Sequence, residues 1–144
     1  MDNFSYICNR IFKQSTMLKE LLWVGAGSCL GGMARYGVSL LLRSASGGFP
    51  WGTFVVNVAG CLLIGLLWGW SSRQGSMPAS VNLFLSVGLC GGFTTFSTFS
   101  KESLSLLQSG QLSTFLLYVL LSLLLGIAAV ALGWRIGHSV APLF

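Results

Sequence analysis

The stretch Gly91-Gly92-Phe93-Thr94-Thr95-Phe96-Ser97-Thr98-Phe99-Ser100 lies inside an apolar segment of membrane-spanning length, yet it opens on two glycines and then alternates hydroxyls with phenyl rings. In hydrocarbon every backbone N–H and C=O must find a partner within the protein. A diglycine beside a polar and aromatic string at that depth therefore predicts a break, buried in protein or lining a cavity. Carbonyls freed by such a break can hold a cation. The hydroxyls can serve an ion, and the electropositive edge of a phenyl ring suits a small anion. The fold that follows is an all-α membrane protein whose third transmembrane helix is interrupted at its diglycine.

The surrounding sequence supplies the other spans. Of 144 residues, 53% are hydrophobic and 8% are charged, where soluble domains carry roughly a quarter. A solvated exterior cannot be built from so few charges. Spans of about 20 residues match a hydrocarbon core of roughly 30 Å. Four fit the chain: Glu20 to Leu42, Trp51 to Trp70, Ala79 to Ser100 (ended by Lys101 and Glu102) and Thr114 to Trp134, closed by Arg135. Residues 1–18 read as an N-terminal leader, disordered or interfacial, 19–138 as the transmembrane domain and 139–144 as a tail. A partly apolar loop, with an interfacial turn of helix as the alternative, is expected from Ser103 to Ser113. The pairs Gly27/Gly31, Gly65/Gly69 and Gly88/Gly92 allow helix backbones to approach closely.

The net charge of +5 comes from basic residues scattered singly at helix ends. Such scatter is no nucleic-acid footprint, and the partner it implies is the lipid bilayer. Lys19, Arg73 and Arg135 fall on the side of the termini, and Arg43 and Lys101 on the other. So even a balance permits insertion in both orientations, and with it an antiparallel dimer able to enclose a pathway; Arg10 and Lys13 of the leader tilt the balance. The four cysteines, Cys8, Cys29, Cys61 and Cys90, have no ligand-type spacing and read as small hydrophobes.

Polar residues within the spans are few. Asn57 either bonds a neighbouring helix or, with Thr53 one turn earlier, lines a wet cavity. Arg35 either snorkels to the interface or concentrates anions at a pathway mouth. Phe96 and Phe99 share a helix face, as do Thr94 and Thr98, which fits plain packing as well as a site. Tyr118 and Ser122 lie one turn apart on the fourth span. No nucleophile–base set, metal-ligand cluster or pair of buried carboxylates can be assembled, so the chain is not expected to be an enzyme. No acid sits at the bilayer midplane as a proton relay. Passive conduction survives this elimination.

The motifs Gly31-Gly32-Met33-Ala34-Arg35-Tyr36, Gly52-Thr53-Phe54 with Asn57-Val58-Ala59-Gly60, and Gly91 to Glu102 together resemble the Fluc (CrcB) family of fluoride ion channels, over about residues 20 to 135. The resemblance implies a dual-topology antiparallel homodimer in the cell's inner (plasma) membrane. It implies two fluoride pores and one central structural sodium ion, held by the backbone carbonyls of Gly91 and Thr94 from both subunits. The implied pore residues are Asn57, Thr53, Phe96, Phe99, Ser97, Ser100, Tyr118 and Ser122, with Arg35 and Glu102 at the vestibule. Phe93, where leucine is frequent, and the leader depart from the family pattern. A small multidrug exporter would need an embedded glutamate in its first span, whereas Glu20 stands at the edge. A scaffold subunit would use the glycine faces but leave the Thr/Phe string without a purpose.

Overall fold

The computed structural model describes the backbone of residues 3–43, 48–74 and 77–140 and the side chains of 16–43, 48–72 and 77–139. The leader's side chains before residue 16 and most of the expected tail lie outside the described residues. In chain order the elements are α1 (Asn3–Leu41), α2 (Trp51–Gln74), α3 (Ala79–Asn82), a π-helix (Leu83–Cys90), α4 (Gly91–Phe93), α5 (Phe96–Gln108) and α6 (Leu112–Val140).

Trp51–Ser72, Ala79–Gln108 and Leu112–Ser139 are long and apolar enough to cross a membrane. The segment expected as the first span is not among them, because its glycines and Arg35 dilute its apolar content. The third expected span is longer than its charged residues suggest. Helix α5 continues through Lys101 and Glu102 to Gln108, burying Ser103 and Leu106 on its inner face, and with Leu112 and Ser113 already in α6 most of the expected loop is helical. It stops in a turn where Gly110 takes φ +74°, Gly110 N–H donates to Leu107 O (3.1 Å) and Gln111 N–H donates to Leu106 O (2.9 Å). This is the Schellman arrangement, which needs the left-handed conformation glycine adopts without a steric cost.

Two glycine seams join the helices. Gly65 and Gly69 of α2 lie against the carbonyls of Val130 and Trp134 on α6, and Gly133 and Gly137 of α6 lie against those of Leu62 and Leu66. Any Cβ there would meet backbone, so the helices are as close as their main chains permit. The second seam sets Gly27 and Gly31 of α1 against Phe84 and Leu89 in the π-helix, with Gly88 and Gly92 facing Val24 and Ser28 in return. Such contacts replace the hydrophobic driving force that helices lack in lipid.

The interruption does not fall at the diglycine. Gly91 is α-helical (φ −64°, ψ −37°) and Gly92 lies in α4, whereas Thr94 (φ −78°, ψ 157°) and Thr95 (φ −150°, ψ 114°) are extended. Gly92 is needed for packing, because a Cβ on it would come within 2.8 Å of Ser28 Cα. Thr94 still donates its N–H to Cys90 O (3.0 Å), and Thr95 is the residue whose backbone groups find a partner on another helix. Thr94 and Thr98 consequently do not share a helix face.

Candidate functional site

Thr95 is the centre of the site. Its N–H donates to Asn57 Oδ1 (2.8 Å), and its carbonyl accepts from Asn57 Nδ2 (3.2 Å). One side chain on α2 thus satisfies both polar groups of an extended residue at membrane depth, where either group left alone costs several kcal/mol. The Thr95 hydroxyl then starts α5, accepting from Thr98 N–H (3.3 Å) and bonding Thr98 Oγ1 (3.0 Å). A cap of this kind contributes about 1 kcal/mol. Sequence reasoning passed over Thr95, although a hydroxyl residue directly before a helix is a recognisable N-cap signal.

Beside the break an open groove of about 390 Å³ is lined by Asn57, Gly60, Cys90, Gly91, Thr94, Thr95 and Phe96, among others. Phe96 is 79% exposed. Phe99, one turn on, is half-buried with its ring centroid 5.8 Å from that of Phe96 and 5.0 Å from Tyr118. The Thr94 hydroxyl donates back to Cys90 O (3.0 Å), and Ser100 Oγ donates to Phe96 O (2.9 Å). Ser97 is exposed, its hydroxyl 3.4 Å from that of Thr95.

Glu102 gathers a second polar cluster. Thr53 Oγ1 donates to one carboxylate oxygen (3.0 Å) and Tyr118 Oη to the other (2.9 Å), with Tyr118 fully buried. Phe49 packs edge-on against Tyr118 and Phe54, each at 5.4 Å, and closes that end of the core. Ser122, one turn beyond Tyr118, has a buried hydroxyl with no hydrogen-bond partner among the described residues. Arg35 stands apart from both clusters, its Nε–H donating to Gly92 O (3.3 Å).

The structure therefore brings Asn57, Phe96 and Thr94 to the groove and Thr53, Glu102, Tyr118 and Phe99 to a neighbouring cluster. Among the described residues no group of three or more His, Cys, Asp or Glu side chains is placed to hold a metal, so any cation here would rest on oxygens of the backbone or of hydroxyls.

These features define a helical membrane protein with a largely apolar groove, carrying a few polar groups, at an interrupted helix. A family profile described as "CrcB-like protein, Camphor Resistance (CrcB)" matches residues 22–134. The chain belongs to this CrcB family. It is 46% identical over 117 residues to a "Fluoride-specific ion channel FluC" of Phocaeicola vulgatus, covering 81% of this chain and 96% of the relative. To the protein of the same name in Methylobacterium nodulans it is 50% identical over 115 residues, covering 79% and 91%. To that of Nitratidesulfovibrio vulgaris it is 44% identical over 124 residues, covering 85% and 100%. The relatives are named as channels, and the chain is not an enzyme.

Proposed function

We propose that this protein is a fluoride channel of the cell's inner (plasma) membrane, which lets cytoplasmic fluoride leave passively down its electrochemical gradient. The observation that carries the reading is the exposed Phe96 side chain lining one groove with Asn57 and the extended Thr94–Thr95 backbone, in a chain whose relatives carry the name of fluoride-specific channels. Fluoride entering as neutral HF dissociates in a near-neutral cytoplasm and is trapped, and a pore gives it a way out. Because the ion is small and strongly hydrated, its water must be replaced by close donors. The second N–H of Asn57 Nδ2 and the Ser122 hydroxyl, which has no partner among the described residues, are the donors left for the ion beside the rings of Phe96 and Phe99, while Thr53, Ser97, Ser100 and Tyr118 line the route. Glu102 lies at the pore end.

The groove is open on the outside of a single chain, so a second copy is needed to enclose it. With the Glu20 to Leu41 part of α1 as a fourth span, about 33 Å long at 1.5 Å per residue, the near balance of basic residues favours an antiparallel homodimer with two pores. The carbonyls of Gly91 and Thr94 fit a structural sodium ion between the copies. The Thr95 N–H, which a continuous helix would give to Gly91 O, goes to Asn57 instead, and Thr94 is extended. Oxygen ligands of this kind suit a hard cation. The ion would neutralise and pin the break.

Purified protein in liposomes, followed with fluoride and chloride electrodes together, is expected to release fluoride and retain chloride. Equal release of both, or of neither, overturns the reading.

A further inference from the structure

We infer that Arg35 is a positioning residue of the interrupted helix: it holds the Gly92 carbonyl that the break leaves without its helical donor, through a hydrogen bond and not through its charge. This rests on the channel reading above only for its functional readout. In a continuous α-helix Gly92 O would accept from the N–H of residue 96. The extended Thr94 and Thr95 carry residue 96 out of that register, and a carbonyl at membrane depth must find another donor. Arg35 Nε supplies it at 3.3 Å, from a half-buried position on α1.

The placement is supported from both sides. On α1, Gly31 lies against Leu89 O and the Phe93 and Gly92 backbone, which brings the Arg35 turn down onto α4. The carbonyl of Arg35 itself accepts from Ser39 Oγ (2.9 Å), fastening the same turn of helix. The break is then held by two side chains from two helices, Asn57 on the Thr95 peptide and Arg35 on the Gly92 carbonyl.

A residue that acts by concentrating anions needs its charge, whereas a residue that caps a carbonyl needs its donor. Glutamine separates the two, because its amide nitrogen sits as many bonds from the backbone as the Nε of arginine and carries no charge. Methionine has the same length and lacks both. In the full-length protein reconstituted in liposomes, Arg35→Gln is expected to keep fluoride efflux within about two-fold of wild type, and Arg35→Met to lose roughly ten-fold. Amide exchange at residues 94–98 should rise in the Met variant alone. That second readout stands even if the wild-type protein passes no fluoride, so failure of the channel reading and failure of this inference are distinguishable. Equal loss of efflux in both variants relative to wild type at low salt, a difference that vanishes at high salt because screening removes the wild-type attraction, with unchanged exchange at the break, assigns Arg35 to electrostatic attraction and overturns the inference.

Discussion

The seam between α2 and α6 and the break between α4 and α5 solve opposite problems with the same backbone. Along the seam every peptide is bonded within its own helix, and glycine removes side chains so that two helices can touch. At the break, helical bonding stops for two residues, and side chains from other helices take over the peptides: Asn57 from α2 and Arg35 from α1. The seam is built by what is absent and the break by what is supplied. Stability should therefore depend steeply on the first, and function on the second.

Adding bulk to the seam is the most damaging change. Gly133→Leu would drive a Cβ into the backbone at Leu62 and Leu66, with no flexible side chain to yield. The expected loss is about 4 kcal/mol or more, seen as a collapse in melting temperature and in recoverable protein. A folded variant of normal stability would show that the seam is looser than its geometry.

Removing a partner at the break comes next. Asn57→Leu leaves the Thr95 N–H and carbonyl without the bonds at 2.8 and 3.2 Å. A loss of roughly 2–3 kcal/mol is expected, with faster amide exchange at Thr95 and no fluoride efflux. The smallest effect on stability belongs to Phe96→Ile, since the ring is 79% exposed on one chain. Melting should move by less than about 0.5 kcal/mol while fluoride efflux disappears. Retained efflux would remove the ring edge from the proposed pathway.

How much of this was legible in the sequence follows from what each signal encodes. Composition and the run of apolar segments announced a helical membrane protein, because lipid permits few alternatives. The spacing of Gly65 and Gly69 announces a close helix contact, but nothing local names α6, with its Gly133 and Gly137, as the partner. The diglycine stands beside the break but is not the break. Its Gly92 serves contact with Ser28, and the helix stops at the threonines, whose extended backbone depends on Asn57, 38 positions away. Lys101 and Glu102 looked like the end of a span. Their charges mislead because Glu102 has two hydroxyl donors, one from α2 and one from α6, which no local reading reveals.

Thr53 and Asn57, one turn apart on α2, grip Glu102 and Thr95, which lie about two turns apart on the neighbouring segment. A strut fastened at two heights cannot swivel about either fastening. A gate worked by rotating α5 would have to undo both at once, so the proposed route beside it would stand open, with throughput set by how many copies the membrane holds.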